Sequence, residues 1–212
     1  MIDETDRRLI HEWLDALYGA WGPGLPCHVS KSPDYSVEAS GVPRDMEAGP
    51  ISVEGWVAWR MLPSTVTEDE VELIERRTSR LPPLFQAYLV SRFHLFDQIQ
   101  VGSDSYLFPA LPSDAPLREL QWRLAAWESL LNAGFVPFAE YHNGWGPVCF
   151  DRERRRDDGD CPVVWFDHEA LHGLPEQRVG DRDTLESLAQ PLYPGFREMI
   201  QCGLDRSGAN RA

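Results

Sequence analysis

The sequence has almost no lysine: Lys31 is the single lysine among 20 basic residues, and the others are arginines. Aspartate and glutamate number 34, so the formal net charge is −14. Such a chain repels phosphate backbones and has few cations that could release counterions from nucleic acid. The composition therefore argues against direct DNA or RNA binding and favours a basic protein as partner, although an acidity that serves only solubility explains it equally well.

Long apolar runs and paired cysteines are also missing. No apolar stretch approaches the roughly 18 residues that would indicate a membrane span. The first residues, MIDETDRRLIHEW, carry charges where a signal peptide has an apolar segment. The cysteines Cys27, Cys149, Cys161 and Cys202 are scattered and form no CxxC pair. These features predict a cytoplasmic protein with reduced thiols, and we interpret Cys149 and Cys161 as buried structural residues.

Motifs for catalysis are absent as well. The chain has no GxSxG elbow, Walker loop or dinucleotide fingerprint, and the Gly-Trp-Gly of residues 144–146 is typical of a turn. His168 and His172 have the spacing that places two imidazoles on one helix face, and Asp167 or Glu169 could complete a metal site. However, there is no HExxH, and glycine and proline follow too soon for a long helix. A polar strand end that meets a loop is the favoured interpretation, so we predict no catalytic residue, no metal and no cofactor.

The first half of the chain predicts helices with one irregular segment. Apolar spacing indicates a helix over Asp6–Tyr18, followed by a Pro- and Gly-rich arm that contains a short strand near Pro26–Val29. The run Ile51–Leu62 is rich in β-formers, with a bulge expected at Gly55 and an end at Pro63.

Two further helices are predicted from their caps. Thr67 and Glu70 fit a capping box, and the helix that follows buries Val71 and Ile74. Pro82 and Pro83 then end one helix and begin the next, since proline is tolerated in a first turn.

The second half predicts three strands between two helices. Residues 93–112 are irregular except for a short strand at Gln98–Val101. Asp114 is expected to cap a helix whose apolar face runs from Leu117 to Leu131 and which ends at Gly134. Short connections predict an antiparallel meander. Its strands are Phe135–Tyr141, Pro147–Asp151 and Pro162–Asp167.

A last helix is predicted to begin at Asp183 and to run through Pro191 and Pro194 to Met199, with a frayed tail from Gly203. This order of elements predicts an α+β fold in which helices pack on an antiparallel or mixed sheet. The chain divides into an N-terminal helix and arm (1–50), a main domain (51–202) and the tail (203–212).

Several segments together resemble the SMI1/KNR4 family of the SUKH superfamily. Thr67–Tyr88 is similar to the opening of that family, an acidic helix followed by Leu-Pro, an aromatic and a leucine. The blocks 134–140, 144–151 and 161–169 resemble its central strands, and Leu188–Ile200 its closing helix. The resemblance covers about residues 55–200, and the first 50 residues have no counterpart.

The resemblance implies an α+β fold without known catalysis. Bacterial members act as immunity proteins that bind and neutralise toxins, and fungal members act as regulatory scaffolds. We therefore expect a non-catalytic module that binds a basic toxin domain; a regulatory scaffold is the alternative, and a small metal-dependent hydrolase that uses His168 and His172 is a third hypothesis.

Exposed aromatics and acids around the turns of the sheet are the expected contacts with the partner, since tryptophan and tyrosine are common interface anchors. The predicted residues are Glu140, Tyr141, Trp145, Asp151, Asp167 and Glu169. For three of them an ordinary structural role remains open: Trp145 could cover the core, and Asp151 and Asp167 could cap strand ends by accepting hydrogen bonds from backbone amides.

Overall fold

The computed structural model describes residues 2–21, 26–28, 41–51, 53, 56–96, 98–142 and 144–209. Its helices are α1 (Glu4–Trp21), α2 (Glu68–Thr78), α3 (Pro83–Ser91), α4 (Arg118–Ala126), α5 (Glu128–Asn132), α6 (His168–His172), α7 (Arg182–Leu188) and α8 (Phe196–Ala209). Its strands are β1 (Pro26–His28), β2 (Trp56–Ala58), β3 (Leu62–Pro63), β4 (Arg92–Phe93), β5 (Gln98–Val101), β6 (Asp104–Leu107), β7 (Phe135–Tyr141), β8 (Gly146–Asp151), β9 (Val163–Trp165) and β10 (Gln190–Tyr193).

A six-stranded antiparallel sheet forms the centre of the molecule and confirms the predicted α+β class. Its strands lie side by side in chain order, from β5 at one edge to β10 at the other. The three predicted strands of the meander are β7, β8 and β9, and β8 pairs with both neighbours. The short pairs β1–β2 and β3–β4 lie outside this sheet.

Helices cover both faces of the sheet because side chains at the start of β7 and along β8 and β9 alternate between two apolar clusters. The larger cluster takes Val136 and Phe150 from the sheet and packs them against α3 and α8. The smaller cluster takes Phe135, Cys149 and Phe166 and includes residues of α5 and α7. Successive residues of β8 and β9 are therefore buried on opposite sides.

Helix α1 contributes to the larger cluster. Ile10, Trp13 and Leu14 are fully buried. The Trp13 ring lies 6.0 Å from that of Tyr88 on α3 and 5.6 Å from that of Phe108. The amphipathic pattern that predicted this helix thus marks a face that packs on the same core as the sheet.

The predicted helix starts at Thr67 and Pro83 are confirmed. The Thr67 side chain accepts a hydrogen bond from the Glu70 amide, and the Glu70 carboxylate accepts one from the Thr67 amide. Pro83 is the first residue of α3, and Val71 and Ile74 are buried. Local side-chain chemistry therefore decides where these two helices begin.

The helix predicted from Asp114 is wrong in its start and its continuity. Helix α4 begins at Arg118, and the residue before it, Leu117, makes no side-chain cap. The backbone leaves the helical region at Trp127, with φ −116° and ψ 39°, which separates α4 from α5. Residues 93–112 also hold a second strand, β6, which forms a hairpin with β5.

The prediction of a single last helix is also wrong. Helix α7 ends at Leu188, and Pro191 lies on the edge strand β10, where a missing amide donor is tolerated. The cap is Asp181 rather than Asp183, because its carboxylate accepts from the Thr184 amide. Helix α8 continues to Ala209, beyond the point at which a frayed tail was predicted.

The β-rich run from Ile51 is two short strands, β2 and β3, rather than one. Between them Trp59 forms an isolated bridge with Glu47. The predicted strand near Pro26 is confirmed as β1. Gly55, where a bulge was expected, lies outside the described residues.

Helix α8 receives its N-terminal cap from a distant part of the chain. Asp160, on the connection between β8 and β9, is 5% exposed. Its two carboxylate oxygens accept hydrogen bonds from the amides of Phe196 and Arg197, each at 3.1 Å, and one of them also accepts from the Cys161 amide at 2.8 Å. One buried carboxylate thus joins the sheet to the closing helix.

Candidate protein-binding surface

The turn between β7 and β8 carries the most exposed aromatic side chain of the sheet, Trp145. The backbone fixes this turn at several points: the Trp145 amide donates to the Tyr141 carbonyl at 3.0 Å, and the Trp145 carbonyl accepts from the His168 amide at 2.9 Å. Gly146 has φ +147°, and a Cβ there would lie 1.9 Å from the Phe166 carbonyl oxygen. The close approach of β8 to the segment after β9 therefore requires glycine.

Aromatic rings surround Trp145, which is 60% exposed. The ring of His142 lies 4.7 Å from it, and Tyr141 contacts His142 at 4.3 Å between centroids. Tyr141 of β7 and Trp165 of β9, the two strands that flank β8, stack at 4.6 Å between ring centroids. We call Tyr141, His142, Trp145 and Trp165 the turn cluster. It presents an apolar, ordered patch with one large side chain in solvent.

The polar edge of the turn cluster is built around Asp104 of β6. The Tyr141 hydroxyl donates to Asp104 Oδ1 at 3.0 Å, and His142 Nε2 lies 3.8 Å from the same oxygen. Desolvation and this hydrogen bond raise the pKa of Tyr141. Burial likewise raises the pKa of Tyr106, which lies 5.5 Å from Tyr141 between ring centroids. Both phenols therefore stay neutral, and that of Tyr141 donates to Asp104.

The predicted acidic contacts differ in their exposure and in their partners within the protein. Glu140 is partly buried and pairs with Arg123 of α4, 2.7 Å between Nη1 and Oε1. Asp167 caps α6 by accepting from the amides of Glu169 and Ala170 at 2.8 and 3.1 Å. The Glu169 side chain is exposed. Trp145 and Glu169 are thus the predicted contacts that reach furthest into solvent.

Asp151 is a correction to the predicted contacts. It is 1% exposed, and Nη2 of Arg182 donates to both of its carboxylate oxygens at 2.9 Å. The same guanidinium lies 3.9 Å over the Phe135 ring. Because Asp151 ends a strand buried on both faces, its charge is compensated internally and does not face a partner.

The histidine pair lies beside the turn cluster on α6. His168 and His172 are exposed, and their Nε2 atoms are 2.9 Å apart. The Trp127 ring contacts both, at 5.9 Å and 6.5 Å between centroids. Asp167 points its carboxylate at the amides of α6 instead. Within the described part of the chain no group of three or more His, Cys, Asp or Glu side chains could hold a metal ion.

An open groove adjoins this pair. Its volume is about 260 Å³, and it lies between α5 and the segment that follows α6, with Trp127, Leu130, Leu171, Leu174 and Val179 as its apolar lining and His172 on one wall. The turn cluster, the histidine pair and the groove together make a surface with aromatic and apolar features that solvent reaches.

The thiols have the predicted placement. Cys149 and Cys161 are fully buried. Burial raises the pKa of both, that of Cys161 to about 11. A nucleophilic thiol needs the opposite shift, so these two residues serve packing.

Sequence reasoning missed three members of this surface: Asp104, His142 and Trp165. Asp104 was missed together with β6, although Gly102-Ser103, the two residues between the paired Val101 and Asp104, is a hairpin signal. His142 has φ +46°, a turn conformation that the spacing alone does not indicate. Trp165 joins through the pairing of β9 with β8.

Comparison with protein-family models and with curated proteins gives no match to this chain. No described helix combines the length and the apolar character that crossing a membrane requires. The SMI1/KNR4 resemblance therefore stays a hypothesis, and the functional argument depends on the surface itself.

Proposed function

We propose that this chain is a non-catalytic module that binds a basic protein domain, and that it belongs to the immunity type, which neutralises a cognate toxin domain. The observation that carries the proposal is the turn cluster: a 60% exposed Trp145 held in place by ordered aromatic neighbours. Tryptophan in such a setting is the residue type that most often dominates binding energy at protein interfaces.

The charge of the chain supports a basic partner. The net charge is −14, and Asp104 and Glu169 bring negative charge to the border of the turn cluster and to α6. Acidic groups beside an apolar anchor speed the encounter with a basic surface and reject acidic competitors. A basic nuclease-like toxin has the complementary chemistry, and this is the partner that the SMI1/KNR4 resemblance implies.

Trp145 provides a direct test. The chain is co-expressed with candidate toxin domains from the genes beside its own, and both complex formation and cell survival are measured. Trp145→Ala is expected to weaken the complex by about 2 kcal/mol, or roughly 30-fold in Kd, because an anchor is lost.

Trp122→Ala is the matched control: Trp122 lies on α4 and is 63% exposed. It should leave the affinity within about twofold, as a surface substitution outside the contact does. No complex and no rescue with the wild-type chain would refute the proposal. Equal losses from both tryptophan variants would refute the assignment of this surface.

The regulatory scaffold remains the alternative function. It predicts binding of a basic protein without toxic activity through the same surface. Survival assays separate the two, because a scaffold gives a complex but protects no cell.

A further inference from the structure

We propose that His168 and His172 form a two-nitrogen binding site for a divalent transition metal of tetragonal preference, Cu²⁺ or Ni²⁺. This inference is independent of the proposed function, since it needs neither a partner nor the turn cluster. It starts from one distance: the two Nε2 atoms lie 2.9 Å apart on the exposed side of α6.

That distance is close to the separation of two ligands in cis positions on one metal ion. Imidazole nitrogens bind such metals at about 2.0–2.1 Å, so two nitrogens 2.9 Å apart subtend about 90° at a shared metal ion. An angle of about 90° is the cis angle of square-planar and tetragonal sites, which Cu²⁺ and Ni²⁺ prefer with nitrogen ligands. A tetrahedral zinc site needs its nitrogens about 3.3 Å apart, so the pair suits zinc less well.

The pair is also held in place before any metal arrives. Asp167 caps the helix at its start, and the Gly173 amide donates to the Glu169 carbonyl at its end. Trp127 packs against both imidazole rings from one side. Restricting the two side chains in advance lowers the entropy that binding must remove.

The bound state requires a change of tautomer in one ring. In the contact between the two Nε2 atoms one nitrogen donates its proton and the other accepts. A metal ion binds the unprotonated nitrogen of a neutral imidazole, so both rings must then carry their proton on Nδ1. Because no third side chain joins the pair among the described residues, water or an added ligand fills the remaining positions.

Titration with Cu²⁺ and Ni²⁺ tests the site on the full chain. Calorimetry should give one Ni²⁺ per chain, and the Cu²⁺ complex should give a tetragonal electron paramagnetic resonance spectrum with hyperfine coupling to two nitrogens. His168→Gln and His172→Gln should each lower the affinity by roughly tenfold or more, since even residues behind the ligands commonly change affinity by that factor.

His11→Gln is the control, because His11 is a partly exposed histidine on α1. It should leave the affinity and the spectrum unchanged. Circular dichroism shows that each variant is folded. The inference fails if the wild-type chain binds neither ion, if both glutamine variants bind like the wild type, or if the spectrum shows one coupled nitrogen.

Discussion

Because His94 is buried, the free energy of unfolding of the chain should fall steeply in mild acid. This side chain is fully buried between β4 and β5, and its ring contacts Tyr88 and Phe96 at 5.3 and 5.4 Å between centroids. Its Nδ1 accepts a hydrogen bond from the Phe96 amide at 3.3 Å, and Nε2 has no hydrogen-bond partner in the described structure. A second proton would have to sit on Nδ1, opposite the amide that already donates to it. Burial lowers the pKa of His94 from 6.5 to about 3.

The size of the effect follows from linkage. An unfolded chain protonates this histidine below its ordinary pKa of about 6.5, whereas the folded chain keeps it neutral down to about 3. The unfolded state therefore binds more protons in this window, so the free energy of unfolding falls as the pH drops from 6.5 toward 3. Between pH 7.5 and pH 5.0 the loss from His94 is about 2 kcal/mol. That figure barely changes if the folded pKa is one unit higher, because the folded residue is still neutral at pH 5.

Urea unfolding at the two pH values measures this loss. His94→Asn keeps an acceptor for the Phe96 amide and removes the titrating group. The variant should be less stable than the wild type at pH 7.5 because of the cavity that it leaves. Between pH 7.5 and pH 5.0, however, its free energy of unfolding should fall by about 2 kcal/mol less than that of the wild type. His11→Asn on α1 should retain the wild-type pH dependence. If His94→Asn and the wild type lose equal amounts, the buried histidine is not the acid-sensitive group; His94→Gln repeats the measurement if the first variant is unfolded.

Two further predictions concern the joints of the fold. Asp160→Ala removes the acceptor for three backbone amides and should lower the free energy of unfolding by about 3 kcal/mol in urea titrations. Asp157→Ala, on the exposed part of the same connection, should change that free energy by less than about 0.5 kcal/mol. Equal effects of the two variants would contradict the capping role. Gly146→Ala places a Cβ 1.9 Å from the Phe166 carbonyl oxygen and should cost about 3 kcal/mol or more. Gly144→Ala meets no atom within 4 Å and should cost only about 1 kcal/mol for its φ of +85°, so similar losses from the two glycines would refute the packing argument.

Much of the fold could be predicted because its determinants are local. The capping box of α2, the proline start of α3 and the short turn between β7 and β8 each depend on residues a few positions apart. The failures came where distant contacts decide. The edge position of β10 makes Pro191 acceptable in a strand, and nothing within the segment indicates which strand lies beside it.

The site was predicted in part for the same reason. Exposed aromatics near a turn can be inferred from sequence, and Trp145 is exposed as the interface prediction requires. The stacking of Tyr141 on Trp165 depends on strand register, and the hydrogen bond to Asp104 depends on a hairpin that the sequence reading missed. Pattern reasoning therefore supplied members of the surface but not its arrangement.

The acidic side chains of the chain also fall into two groups, buried and exposed, that composition cannot distinguish. Asp6, Asp151 and Asp160 are 4%, 1% and 5% exposed. Asp6 pairs with Arg197 and Asp151 with Arg182, so these charges are neutralised inside the protein and contribute to its folding. Any attraction to a basic partner would come from carboxylates that solvent reaches, such as Glu169. A protein with this net charge can therefore have a weak or a strong electrostatic potential at its surface. The strength depends on which carboxylates pair with arginines rather than on the number of acidic residues.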